Sequence, residues 1–108
     1  MSGTSVGVKV WLRYGERGFL GRGRRDLLDA IRRTASIKEA AASTGVCEKT
    51  AHRTVRKMER IIRRKLVRRV RGGPHGGGSS TLTPLAEKLL ADYDDAIKAA
   101  EYRLRGMP

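Results

Sequence analysis

The sequence predicts an α+β fold: an N-terminal strand or hairpin, three helices, a second β-hairpin and a long last helix. Three observations carry that reading. Apolar residues repeat every second position near the N-terminus, then switch to a helical period from about Arg24. A glycine-rich stretch, RGGPHGGGSS from Arg71 to Ser80, lies between two β-prone runs, KLVRRV and STLT. Beyond it a Thr-Pro pair opens a run whose apolar residues recur at spacings of four, four, four, three and four.

The chain of 108 residues has room for one domain and one modest core. No apolar run approaches a transmembrane length, and the N-terminus lacks the basic start and apolar stretch of a secretory signal. No membrane partner is expected. A single cysteine, Cys47, excludes an internal disulfide, and two distant histidines make a zinc site a poor expectation. The reading is therefore a cytoplasmic protein with no cofactor and no metal.

Charge speaks most loudly. Lys and Arg number 24 against 11 Asp and Glu, a net +13, which points to a polyanionic partner. Residues 48–71 alone carry eleven positive and two negative side chains, whereas residues 81–108 carry four and five. A merely solubilising charge would be spread more evenly, so the block reads as a docking face. The absence of Asn and Gln suggests a thermophilic source.

In chain order, Val6, Val8, Val10, Leu12 and Tyr14 alternate with Gly7, Lys9, Trp11 and Arg13, which predicts a strand with one apolar face. YGERG reads as a turn and Phe19-Leu20 as a short return. Leu27, Leu28 and Ile31 mark the first helix. Ser36 and Glu39 form an S-x-x-E capping box, so the second helix starts just after Ser36, and Gly45 caps its end. Val46 is expected to plug the turn. A third helix begins near Cys47, with Ala51, Val55, Met58 and Ile62 inward and Lys49, Arg53, Arg56, Lys57 and Arg60 outward. Two helices joined at a tight glycine turn, the second strongly basic, make a helix-turn-helix.

That context decides the glycine stretch. A phosphate loop fails because Ser79 follows Gly78 where lysine is required, and no helix starts there. A linker fails because the residues beyond hold no core of their own. A hairpin tip beside a helix-turn-helix is a wing, with glycines expected to give backbone freedom so that the tip is mobile in the free protein and orders on DNA.

Thr83 as N-cap and Pro84 as first helical residue start the last helix. Leu85, Leu89, Tyr93, Ile97, Ala100 and Leu104 form its apolar stripe, broadened by Ala86, Leu90 and Ala96, with Tyr93 and Tyr102 expected to pack between two copies. Such a helix outruns a domain this small, so a homodimer is expected. The division is residues 1–83, a winged helix-turn-helix, and residues 84–108, a dimerisation helix of the same domain.

From LLDAIRRTASIKEAAASTGVCEKTAHRTVRKMER through LVRRVRGGPHGGGSSTLT to LLADY, the chain resembles the N-terminal DNA-binding domain of the molybdate-responsive ModE regulator family, and more distantly the LysR-type winged domain. The paired-glycine wing followed by Leu-Thr is the specific part. The resemblance implies a dimeric winged-helix transcription regulator, its third helix in the major groove and its wing on the backbone. The family's Ser-Tyr pair and later tryptophan are replaced here at Cys47, Glu48 and His52, and its glycine after Leu-Thr by Ala86, so a different base sequence is expected. Molybdate-binding domains are not expected in this chain.

The expected DNA contacts are Ser36, Lys49, Thr50, His52, Arg53, Arg56 and Lys57 in the helix-turn-helix, and Arg68, Arg69, Arg71 and His75 in the wing. The recognition helix spans about 47–64 and the wing 67–83, the latter on backbone or minor groove. Glu48 can accept from a cytosine amino group, although a first-turn acid favoured by the helix dipole is the simpler reading. Cys47 reads better as a small cap residue than as a redox sensor. No carboxylate pair lies in a setting suited to catalysis, so no enzyme is expected. The competing class is a low-specificity architectural protein that coats double-stranded DNA.

Overall fold

The structure is a computed structural model and describes residues 3–72 and 78–106. Its elements run β1 (Leu12–Tyr14), β2 (Arg17–Leu20), α1 (Arg22–Thr34), α2 (Ile37–Thr44), α3 (Glu48–Ile62), β3 (Val67–Val70), β4 (Ser79–Leu82) and α4 (Pro84–Arg105). Four helices thus accompany two small antiparallel hairpins, β1–β2 and β3–β4, an α+β arrangement compatible with a winged helix.

The first hairpin is shorter than the alternating valines predict. Pairing begins only at Leu12, opposite Leu20, and Val6 and Val8 are exposed. Alternation marks a face, but a strand also needs a partner for its backbone groups. Here β2 provides four residues, and residues 3–11 run on without a strand opposite them.

Leu27, Leu28 and Ile31 of α1, Ala40 and Ala41 of α2, and Ala51, Val55, Met58 and Ile62 of α3 enclose one core, closed by Leu20, Leu66 and Leu90. The turn between α2 and α3 is built as the sequence indicates. The Ser36 hydroxyl accepts from the Glu39 N–H at 3.1 Å, and Gly45 takes φ +80°, a left-handed value that favours glycine. The Gly45 and Val46 N–H groups turn back to Ala42 and Ala41 at 3.3 and 3.0 Å. Val46 does not plug this turn: its backbone is used, while its side chain is 40% exposed.

Contacts of three residues, Ser80, Thr83 and Glu59, close the base of the second hairpin and fix it to the helical body. The Ser80 N–H donates to the Ala35 carbonyl at 2.8 Å, which Ala35 presents from a left-handed position at φ +57°. Thr83 is buried; its N–H donates to the Leu66 carbonyl and its hydroxyl to that of Lys65, while Oγ1 caps α4 by accepting from the Ala86 N–H. On the other side, a Glu59 carboxylate oxygen accepts from the N–H groups of Leu66 and Val67 at 2.8 and 3.2 Å.

Helix α4 is held to α1 by ion pairs. Arg25 grips Asp94 through Nε and Nη2 at 2.9 and 3.0 Å, and Arg32 reaches Glu87 at 3.4 Å. Its buried seam is Ala86, Leu90 and Tyr93, flanked by half-buried Leu85, Leu89 and Ile97. Tyr93 is therefore a residue of the chain's own core, 2% exposed, rather than of an outward stripe. The reason is angular: steps of four from Leu85 and Leu89 drift around the helix until, at Tyr93, the inferred line meets the face of Ala86 and Leu90 that packs on the body. Tyr102, by contrast, is 78% exposed.

Candidate nucleic-acid interface

Helix α3 is amphipathic in the strict sense that its two faces have different chemistry. Ala51, Val55, Met58, Ile61 and Ile62 are buried, and this fixes the opposite face outward. Lys49, Thr50, Arg53, Arg56, Lys57 and Arg60 are exposed, and His52 is half-buried with Nε2 at 3.5 Å from Glu48.

An open groove of about 840 Å³ runs along that face. Lys49, His52, Arg53, Arg56, Glu59 and Arg60 of α3 line it, with Arg63, Arg64 and Lys65 of the turn that follows. Its single carboxylate, Glu59, is already engaged by the hairpin amides and lies 3.9 Å from Lys65. The other lysines and arginines of the groove form no ion pair among the described residues, and His52 faces Glu48. Three of the five arginines of α1 differ: Arg25, Arg32 and Arg33 meet carboxylates, chiefly Asp29 and Asp94, while Arg24 donates to the Phe19 carbonyl. Positive charge is neutralised where helices pack and left open along α3.

The sequence-predicted residues fall into separate groups. Lys49, His52, Arg53 and Arg56 come together in the groove; Thr50 and Lys57 are exposed on α3 beside it. Ser36 sits away from it as the cap of α2. Arg68 and Arg69 are exposed on β3, facing Thr81 and Ser80 across the hairpin. As successive strand residues they lie on opposite faces. Arg71 is exposed just beyond β3, and His75 lies outside the described residues. Gly78 has a steric reason for being glycine: a Cβ there would meet the Val70 carbonyl oxygen at 2.8 Å.

Sequence reasoning missed the lower end of the groove, Arg63 to Lys65, and the anchoring role of Glu59. The run RIIRRK lies inside the basic block, but only the fold shows that the helix ends at Ile62 and turns those cations back along its own face. Cys47 is exposed at the start of α3, its thiol 3.1 Å from the Thr50 hydroxyl. That hydrogen bond, with backbone N–H groups of the first turn, lowers the thiol below its ordinary pKa. Among the described residues no His, Cys, Asp and Glu group is placed to hold a metal ion, and no helix is long and apolar enough to cross a membrane.

Fold and surface together define an α+β protein of four helices and two small antiparallel hairpins, compatible with a winged helix, with a basic face along α3. Over 85 residues, 79% of its length, the chain is 41% identical to the molybdenum-pterin-binding protein MopB of Rhodobacter capsulatus. It is 40% identical over 84 residues to the transcriptional regulator ModE of Haemophilus influenzae, and 31% identical over 87 residues to the DNA-binding transcriptional dual regulator ModE of Escherichia coli. The chain is a homologue of these ModE and MopB proteins, in agreement with the resemblance carried by its helix-turn-helix and glycine hairpin. It spans about a third of their length: 31%, 32% and 33% of the three. No family model matches the chain.

Proposed function

We propose that this chain is a sequence-specific, double-stranded DNA-binding transcriptional regulator. The carrying observation is the groove along α3, where Lys49, Arg53, Arg56, Arg60, Arg63 and Arg64 have no carboxylate partner among the described residues. In this reading residues 47–64 enter the major groove, with Arg53, Arg56, Lys49 and His52 toward base edges and Thr50, Lys57 and Ser36 toward phosphates. The hairpin, residues 67–83, lies on backbone or minor groove and brings Arg68, Arg69 and Arg71. Residues 1–83 form the winged DNA-binding unit, and residues 84–108 a helix through which two copies pair. The relatives named as transcriptional regulators support the class and speak against an enzyme. The molybdenum-pterin binding in the name of MopB belongs to that protein and is no part of this proposal. As a DNA-binding regulator it would work in the cytoplasm, on the nucleoid.

Selection of bound fragments from genomic and random DNA, followed by footprinting, tests the proposal. A regulator gives a shared site and binds it roughly a thousandfold or more over random sequence. A ratio near unity would instead make it an architectural, DNA-coating protein.

A further inference from the structure

We propose that Arg63, Arg64 and Lys65, with Arg60, form a phosphate clamp that grips the DNA backbone where the recognition helix leaves the major groove. The inference deepens the regulator reading and rests on it. Helix α3 has 15 residues, a length of roughly 22 Å. The major groove is about 12 Å wide. A helix that enters with its N-terminal turn toward the bases therefore brings its far end against the flanking sugar-phosphate chain, where cations rather than base readers are useful.

The cations are there. Arg60 is in the last turn of α3, and Arg63 to Lys65 follow it directly, all four lining the groove that Lys49 and Arg53 line from the other end. The helix dipole accounts for one basic residue in a last turn. It does not account for Arg63, which caps α3 at φ +58°, ψ +34°, a left-handed conformation that glycine adopts at less cost. At the end of α2 the same role is filled by Gly45. Ala35 ends α1 in the same conformation, so what singles out Arg63 is its place in the cationic groove, where its guanidinium is available to a ligand.

The test is a salt titration of DNA binding by the whole chain, using a labelled random-sequence duplex and the duplex recovered by selection. The variants are Arg63→Gly, Arg64→Ser and the two together. Glycine suits the backbone at position 63, so the fold survives and the melting temperature stays level or rises; Arg64→Ser asks the same question away from the left-handed position. The expected result is a slope of log affinity against log salt that falls by about 0.9 per cation removed, with affinity lost by the same factor on both duplexes. Parent slopes in the double variant would overturn the clamp, as would a loss confined to the selected duplex. If the parent binds DNA steeply and Arg53→Ala weakens it while the double variant does not, only the clamp falls. If the parent shows no salt-dependent DNA binding, the regulator reading falls and takes the clamp with it.

Discussion

At the scale of single residues, similar side chains have opposite duties depending on what the fold sets beside them. Arg53 and Arg56 project from α3 with no carboxylate partner among the described residues, so their donors are open to a ligand. Replacing either with alanine is expected to weaken DNA binding by about 1–3 kcal/mol if it contacts guanine through two hydrogen bonds, and to relax base preference at one position of the site. Competition binding against a panel of single-base variants measures both. Parental behaviour in both mutants would remove α3 as the reader. Glu59 lies in the same groove and does something else: it accepts from the Leu66 and Val67 amides and so places the root of the hairpin. Glu59→Ala leaves two partly buried N–H groups without an acceptor, a cost of about 1–3 kcal/mol. Denaturant melts and faster hydrogen exchange at amides 66–70 would register it; unchanged exchange would show that the hairpin needs no such anchor. The outward arginines were legible from helical spacing alone. Glu59 was not, because its partners are backbone amides seven and eight residues away, which leave no mark in the side-chain pattern.

At the scale of elements, the second hairpin and α4 are held by contacts of different kinds, the hairpin mainly by hydrogen bonds to backbone groups and α4 also by ion pairs. The hairpin's anchors include the neutral Ser80–Ala35 and Thr83–Leu66 bonds. Helix α4 depends also on Arg25 and Asp94. The hydrogen bond from Arg25 holds the Asp94 carboxyl below its ordinary value. At Asp29 burial opposes the charged form, but the guanidinium groups of Arg33 and Arg32 outweigh it and again lower the carboxyl. A depressed folded-state value means that stability is present above the ordinary aspartate range, near pH 4, and is lost as pH falls through the lowered value. Asp94→Asn is therefore expected to melt earlier than the parent at pH 7 and to lose less further stability below about pH 4. Parallel melting curves across that range would show that the pair contributes nothing. The capping signals made these elements readable: Ser36, Gly45 and Thr83-Pro84 mark helix ends through local hydrogen bonds and backbone limits. The N-terminal strand was over-read because its end is set by a partner strand, a fact that alternation does not encode.

At the scale of the whole molecule, the shape is more extended than a chain of this length requires. The radius of gyration is 16.3 Å and the extents are 60 × 32 × 20 Å, against about 13 Å for a compact domain of roughly 100 residues. One source is α4, whose buried residues stop at Tyr93 although the helix runs to Arg105. Its last two turns carry half-buried Ala100 and Leu104 and the exposed Tyr102. Val8, Val10, Trp11, Tyr93 and Ile97 add an apolar recess of about 460 Å³ between the N-terminal segment and the same helix. Pairing of two copies about a two-fold axis would cover both features. Which substitution tests this depends on the packing. Leu89 and Ile97 lean on the chain's own core, so Leu89→Arg or Ile97→Asp is expected to unfold the chain as well as dissociate it. Leu104→Asp with Tyr102→Asp acts beyond the core and should give a folded monomer. Light scattering is expected to report twice the 12.0 kDa chain mass for the parent and the chain mass for the double variant, with helical circular dichroism retained over α1 to α3. On DNA, the loss of two-fold pairing should cost the variant the second half-site, shortening the footprint to one side of the selected sequence. A parent that scatters as a monomer across micromolar concentrations would remove the dimer and leave α4 as a strut.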